Sequence, residues 1–190
     1  MHKSLVIWAG LSLLTVTSLA RADEPTLSVS IAVAAINPGT ERVVAAFDRH
    51  SHFHVILTNT SDEPQRIVTE WNSWGDQALS FEFSDESGKT WVARRVLISR
   101  SKNMLSWWIL EPHENLVFDV YFADPERWRD FPHPLHYGDS QAVTMRAVFE
   151  IKPNEVPPKE KLWTGRVVSK RQKYAFHNRT GNRKIDAPSR

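Results

Sequence analysis

The chain has 190 residues, a formal net charge of +2 at pH 7 and no cysteine. The absence of cysteine excludes disulfide bonds, thiolate metal sites and a lipid anchor on an N-terminal thiol. A chain of this length fits one domain, and without covalent cross-links its stability must come from the packing of a hydrophobic core.

The charge is divided unevenly along the chain. Residues 23–158 contain 12 Lys or Arg against 20 Asp or Glu, whereas residues 159–190 contain 10 against 2. A basic end can contact phosphate or anionic lipid, but a solvated chain terminus is the commoner explanation. We predict no nucleic-acid partner.

The first 25 residues, MHKSLVIWAGLSLLTVTSLARADEP, have the pattern of a secretory signal peptide. Lys3 gives a positive start, residues 5–19 are largely apolar, and the alanines on either side of Arg21 form an A-x-A cleavage site. The apolar stretch is shorter than the ~20 residues that a spanning helix needs, so an uncleaved anchor is the weaker alternative. We predict a signal helix over residues 1–22 and a secreted or periplasmic mature protein, with no transmembrane segment, that begins at Asp23.

Beyond this segment the apolar residues recur every second position, which predicts β-strands separated by turns. The first strand lies within TLSVSIAVAAINPG, residues 26–39, and the second within SHFHVILTN, residues 51–59. The turn TSDEP leads to a third strand in QRIVTEW, residues 65–71. ALSFEFSDESGKTWVARRV, residues 78–96, is predicted to form a hairpin in which Gly88 takes the left-handed conformation.

The second half of the chain continues the pattern. SWWILEPHENLVFDVYF, residues 106–122, predicts two strands around the turn LEPHE, and DPERWRDF, residues 124–131, has room for one helical turn at most. QAVTMRAVFEIK, residues 141–152, predicts a long strand, and LWTGRVVS, residues 162–169, predicts the last one. Beyond Phe176 the apolar pattern ends, so we expect a disordered basic tail over residues 177–190.

Eight or nine strands in about 150 residues, without an amphipathic helix, predict an all-β fold. The preferred form is a two-sheet immunoglobulin-like β-sandwich of antiparallel strands over residues 23–176, and a jelly roll is the alternative.

Three groups of turn residues resemble those of a known class of module. Bacterial immunoglobulin-like modules have turn motifs of the forms N-T-S-x-x-P, D-x-x-G-K and L-x-P-x-E. Similar motifs occur in this chain within VILTNTSDEPQRI, FEFSDESGKTW and LEPHENLVFDVYF, respectively. The similarity covers about residues 50–122, and among these modules the chain is most similar to the intracellular proteinase inhibitor type and to small secreted proteins. The resemblance implies the sandwich fold and, by analogy alone, protease inhibition; it implies no catalytic residue.

Histidines recur at every second residue in DRHSHFHVIL, residues 48–57, and on a strand they share an accessible face opposite an apolar one. A strand rises ~3.3 Å per residue, so His50 and His54 lie about 13 Å apart and only an adjacent pair can bind one ion. A Zn²⁺ or Cu²⁺ site would combine His52 and His54 with His133 and His136 of the loop FPHPLHYGD. The simpler interpretation is a solvated strand face that is rich in histidine.

The sequence lacks the motifs of hydrolases and of phosphate-binding enzymes. Neither G-x-S-x-G nor H-E-x-x-H occurs, and none of the seven glycines belongs to a phosphate-binding loop. Glu70 with Asp76 or Asp119 would supply the two carboxylates of a glycosidase, but the sequence does not fix their separation. We therefore predict that the protein is not an enzyme and uses no cofactor.

Seven tryptophans follow the signal segment, a number that calls for an explanation. Large aromatic side chains bury ~150–250 Å² each and can replace the disulfides of similar secreted domains. Trp91 and Trp163 lie in alternating strands, which predicts core positions. Trp107 and Trp108 are adjacent, so on a strand one of them must point outward. Exposed tryptophan beside polar residues is typical of protein-binding and carbohydrate-binding surfaces.

TEWNSWGDQ, residues 69–77, combines two tryptophans with turn-forming residues. The preferred interpretation is a tight corner, sharpened by Gly75, in which Trp74 folds over the edge of the sheet. The alternative is a shelf on which a sugar ring stacks.

These observations together predict an exported, non-catalytic binding or structural domain that recognises a protein or a glycan through aromatic-rich loops. The predicted binding surface comprises Trp74, Trp108, Trp128, Asn72 and Asp76. Metal binding through the histidines is the alternative function, and protease inhibition is the third. The sequence leaves the identity of the partner and the oligomeric state open.

Overall fold

The computed structural model describes residues 25–33, 43–45, 52–97, 104–122, 127–131 and 139–177, with the backbone alone for residues 43–45. The predicted signal helix and the predicted tail beyond residue 177 lie outside the described residues. So do four of the histidines, His2, His50, His133 and His136.

The described residues form an all-β fold, and their helical content is limited to two short 3₁₀ turns at Pro153–Glu155 and Pro158–Glu160. The strands are β1 (Leu27–Ala32), β2 (Val43–Ala45), β3 (Phe53–Asn59), β4 (Gln65–Val68), β5 (Leu79–Ser84), β6 (Thr90–Arg95), β7 (Trp107–Leu110), β8 (Asn115–Val120), β9 (Trp128–Arg129), β10 (Ser140–Ile151), β11 (Gly165–Val168) and β12 (Gln172–His177).

These strands form three sheets. A three-stranded sheet has the order β1-β3-β8, and a two-stranded sheet pairs β4 with β7. The third sheet has the order β2-β12-β10-β5-β6-β9, and β11 also pairs with β10. Every described pair is antiparallel except β2 with β12, which is parallel.

The three-stranded and seven-stranded sheets pack face to face, which gives a sandwich-like arrangement. Phe53 on β3 contacts Phe81 on β5 with 5.5 Å between ring centroids, and Phe118 on β8 contacts Phe149 on β10 at 5.8 Å. Phe122, which follows β8, is fully buried and makes edge-to-face contacts with the rings of Phe53 and Phe81. One aromatic core therefore joins the two sheets.

The alternation of burial along β3 explains why this sequence forms a strand on the sandwich surface. Phe53, Val55 and Leu57 are buried, whereas His52 and His54 are exposed on the opposite face. The period of two places all the apolar side chains on the inner face, as the sequence predicted.

The described residues contain more strands than the eight or nine that the sequence predicted. Residues 128–129, in a segment that the sequence assigned to no strand, form β9 and pair with β6. The predicted last strand at residues 162–169 is followed by β12, which lies on the same edge of β10 as β11. Ser169 lies between these two strands and accepts a 2.8 Å hydrogen bond from the backbone N–H of Ala147.

The predicted hairpin turn between β5 and β6 is confirmed. Gly88 has φ of +83°, the left-handed conformation that glycine adopts without steric cost. Asp85 accepts hydrogen bonds from the Ser87 hydroxyl at 2.6 Å and from the Lys89 backbone at 3.0 Å. The bond from Ser87 is the largest cause that lowers the pKa of Asp85. Within the described ranges, no helix has the length and hydropathy required to cross a membrane.

Candidate binding surface

The corner between β4 and β5, residues 69–78, is held in place by the side chain of Asn72. Its amide nitrogen donates to the Thr69 hydroxyl at 2.9 Å and to the Ser106 carbonyl at 3.1 Å. Its amide oxygen accepts from the backbone N–H groups of Trp74 at 3.1 Å and Gly75 at 3.0 Å. Asn72 thus fixes the conformation of the corner and ties it to the residue that precedes β7.

Gly75 is required in this corner because the backbone passes close to an earlier segment. A β-carbon built on Gly75 would lie 2.2 Å from the carbonyl oxygen of Thr69. Trp74 is half-buried and packs against the hydrophobic core. The contacts of these residues agree with the predicted tight corner in which Trp74 covers the sheet edge.

Three of the five residues predicted to form the binding surface are buried. Asn72 is 1% exposed, Asp76 is 4% exposed and Trp128 is 3% exposed. Their expected position on an accessible surface is therefore corrected. The side chain of Asn72 makes the hydrogen bonds of the corner and does not face solvent. Trp128 lies in the aromatic core, and its ring centroid is 5.3 Å from those of both Phe81 and Phe122.

Trp128 is also covered by Arg95. The guanidinium carbon lies 5.5 Å from the Trp128 ring centroid, a cation–π contact. Arg95 Nη2 also lies 2.5 Å from Glu70 Oε2; this contact is an ion pair without the alignment of a hydrogen bond. Trp128 and Arg95 therefore stabilise the end of the sandwich and present no binding face.

The exposed aromatic surface is formed by Trp71 and Trp108, which we call the Trp71–Trp108 surface; Ile109, on the opposite face of β7, is exposed as well. Trp71 is 51% exposed, Trp108 44% and Ile109 56%. The two indole rings meet edge to face, with centroids 5.4 Å apart and an interplanar angle of 76°. Trp107, the neighbour of Trp108, is half-buried against the core, so the prediction that one of the two points outward is confirmed.

Trp71 belongs to this surface although the sequence placed it at the end of a strand. Strand β4 ends at Val68, so Trp71 lies in the turn and its side chain leaves the core. Its position beside Asn72, a turn former, is the only signal in the sequence that pointed to this outcome.

Within the described part of the chain, strand β7 beside this surface has an edge that no other strand covers. Among the described residues it pairs with β4 alone, and the segment from Ser106 to Leu110 carries no charge. Proteins usually protect sheet edges with charged residues, prolines or covering segments. The exposed side chains of Trp108 and Ile109 therefore stand next to backbone that is open to pairing.

A second candidate is a polar cavity of about 410 Å³ on the other side of the corner. Trp74 and Gln77 line it from the corner, Arg94 from β6, and Glu150, Lys152 and Glu155 from the end of β10 and the 3₁₀ turn that follows. Lys152 donates to Glu155 at 2.9 Å, and this hydrogen bond raises the pKa of Lys152.

The predicted histidine face is accessible, but its contacts are between histidine and aspartate. His54 Nδ1 lies 2.8 Å from Asp119 Oδ1, His52 Nδ1 lies 4.0 Å from Asp119 Oδ2, and the His52 ring stacks on Tyr121. In the part of the chain that the structure describes, no group of three His, Asp or Glu side chains is arranged to hold a metal ion. The loop histidines of that prediction, His133 and His136, are outside this part.

The outer face of the seven-stranded sheet carries a cluster in which one carboxylate serves three arginines. Glu82 on β5 accepts from Arg146 at 2.6 and 2.7 Å, from Arg166 at 2.7 Å and from Arg171 at 3.3 Å. These bonds join β5, β10, β11 and the segment before β12 across the sheet. The cluster stabilises the strand order.

No protein-family model matches the chain, and no curated protein is similar to it in sequence. Function is therefore inferred from the contacts of the described residues.

Proposed function

We propose that the chain is an exported, non-catalytic domain of the immunoglobulin-like type that binds another macromolecule, a protein in preference to a glycan, through the Trp71–Trp108 surface. The observation that carries this proposal is the pair of indole rings that meet edge to face while each remains about half exposed. Tryptophan is enriched among the residues that dominate the energetics of protein interfaces.

The strand order supports the immunoglobulin-like assignment. The order β1-β3-β8 corresponds to strands A-B-E, and the order β12-β10-β5-β6 corresponds to G-F-C-C′. Domains of this type present binding loops and sheet edges on a rigid sandwich, and the Trp71–Trp108 surface lies on such an edge.

A protein is the better fit to this surface for two reasons. The edge of one indole covers a face of the other, which leaves a ridged apolar surface rather than the open ring face on which a sugar stacks. The edge of β7 that is unpaired among the described residues can also pair with an extended segment of a partner, and main-chain hydrogen bonds of this kind add affinity.

The test uses two variants that each remove one exposed apolar side chain. Trp108→Ser alters the proposed surface, and Val117→Ser alters the outer face of β8, where Val117 is 55% exposed. Binding of the purified protein is measured by biolayer interferometry against panels of exported proteins and of glycans. We expect a protein ligand whose affinity falls about 30-fold or more in Trp108→Ser, the size of an interface hot spot, and does not change in Val117→Ser. Absence of any protein ligand, or equal binding of a protein ligand by both variants, would contradict the proposal.

Export is proposed from the pattern of the first 22 residues. Protein recovered from the periplasm or the medium of the producing cells should begin at Asp23 when its N-terminus is sequenced. Recovery of the chain only from the cytoplasm, with Met1 in place, would overturn export while leaving the binding proposal to its own test.

The metal alternative and protease inhibition remain predictions, and the contacts of the exposed histidines do not favour the first. Asp119 accepts from His54 and lies near His52 on an exposed face, which explains these residues as a solvated cross-strand pair. Measuring the metal content after exposure to Zn²⁺ and Cu²⁺ tests the first, and assaying a panel of proteases with the purified chain tests the second.

A further inference from the structure

The polar cavity beside Trp74 is distinct from the Trp71–Trp108 surface. Its volume of about 410 Å³ falls within the range of small-molecule sites and is large enough for one or two sugar units. Trp74 lines one side, and the other lining residues are mostly polar, among them Gln77 and Ser80. An aromatic wall that faces hydroxyl and amide groups suits a ligand with one apolar face and many hydroxyls.

The cavity is lined by two cations, Arg94 and Lys152, and two carboxylates, Glu150 and Glu155, but these four groups are not all paired with one another. Lys152 is paired with Glu155 at 2.9 Å, and Glu150 is within 3.7 Å of Arg166. For Arg94, by contrast, no hydrogen bond or ion pair is found among the described residues. The cavity therefore retains one guanidinium that is free to bind an anionic group.

Arg129 reinforces this positive charge. It is directly opposite Arg94 in the β6–β9 pair, so both side chains project from the same face of the sheet. Arg129 is also exposed and makes no ion pair with the part of the chain that the structure describes. Like charges directly opposite each other destabilise a sheet, and an anion bound between them would remove that cost.

We propose that this cavity binds a sugar that bears a carboxylate group, such as a uronic acid unit of an acidic polysaccharide. The sugar ring lies against the Trp74 indole, and the carboxylate accepts hydrogen bonds from Arg94 with Arg129 beside it. The planar fork of a guanidinium matches a carboxylate in a bidentate geometry. An acidic peptide also carries carboxylate groups, but it lacks the hydroxyl groups of a sugar ring, which the polar residues of the cavity can bind.

The test is isothermal titration of the purified protein with uronic acid oligosaccharides, with neutral oligosaccharides of the same length and with short acidic peptides. We expect the uronic acid oligosaccharide to bind more tightly than either of the others. Its affinity should fall tenfold or more in Arg94→Gln and should fall as salt is raised, because the contact is ionic and accessible. Lys89→Gln is the control, since it removes one positive charge from the hairpin at the other end of β6.

Stability separates a lost contact from a damaged fold. Because Arg94→Gln removes a like-charge pair, its melting temperature should equal or slightly exceed that of the unaltered protein. Binding of the uronic acid ligand that is unchanged in Arg94→Gln, preference for the peptide, or no binding at all would overturn the proposal. Trp108 does not line the cavity, so the results for Arg94→Gln and for Trp108→Ser test the two proposals separately.

Discussion

The substitution Gly75→Ala tests the account of the corner between β4 and β5. An added β-carbon would lie 2.2 Å from the carbonyl oxygen of Thr69 and 2.8 Å from its carbonyl carbon. Both are backbone atoms, and Thr69 is held by a 3.0 Å bond from its N–H to the Ser106 carbonyl. Gly75 does not have a left-handed φ, so without this contact alanine would stabilise the protein by about 0.4–1 kcal/mol through the unfolded state.

The steric contact reverses the sign of that effect. Forcing one extra carbon into a packed site costs about 1–3 kcal/mol, and a rigid backbone neighbour places Gly75→Ala at the upper end, about 3 kcal/mol. Gly88→Ala is the matched control, since its φ is +83° but nothing lies within 4 Å of the added carbon. It should cost about 1–2 kcal/mol from backbone conformation alone.

The assay is equilibrium unfolding in urea, monitored by tryptophan emission, for the unaltered protein and both variants. The reasoning predicts that Gly75→Ala lowers the free energy of unfolding more than Gly88→Ala does. A Gly75→Ala variant that is as stable as the unaltered protein, or less destabilised than Gly88→Ala, would refute the close approach of the two segments.

Three further predictions follow from single contacts. Glu82→Gln should lower the free energy of unfolding by about 1–2 kcal/mol, because three arginines lose a shared carboxylate. The control Glu86→Gln, in the exposed turn, should change the free energy of unfolding little. Urea unfolding of the two variants compares them. Phe122→Ala should cost about 3–5 kcal/mol, measured in the same way, and a loss below 1 kcal/mol would contradict a joint core. The pKa of Asp85 lies below its ordinary value of 3.8, so the stability that ionised Asp85 contributes is present above that value and is lost as pH falls through the folded pKa. Ser87→Ala should raise the pKa of Asp85, measured by NMR titration. An unchanged midpoint would exclude the Ser87 hydroxyl as the cause of the lowered pKa.

The strands that the sequence predicted are those with one buried and one solvated face. In β3, β5 and β8 apolar side chains occupy every second position because one face packs on the core, so periodicity alone identifies them. Strand β12 was not predicted because Tyr174, Ala175 and Phe176 are buried consecutively, so buried and exposed residues do not alternate along it. Strand β9 has only two residues and is defined by its pairing with β6. This pairing is a tertiary contact, so the local sequence pattern does not predict it.

The candidate site was predicted less well, since exposure depends on where each strand stops and on what covers it. Trp108 was placed correctly because two adjacent strand residues must face opposite ways. Trp128 is buried because the phenylalanines of the core surround it and Arg95 covers it, and these residues come from distant parts of the chain. Asn72 was recognised as a turn former, but its bonds to Ser106 depend on β7 lying alongside.

Solvent accessibility measured at each tryptophan tests the central claim most directly. Hydroxyl-radical footprinting of the folded protein, resolved by mass spectrometry, should label Trp71 and Trp108 fastest and Trp128 slowest, and a bound protein partner should suppress labelling of the first two. Labelling of Trp128 as fast as that of Trp108, or unchanged labelling of Trp71 and Trp108 in the complex, would contradict the proposed binding surface.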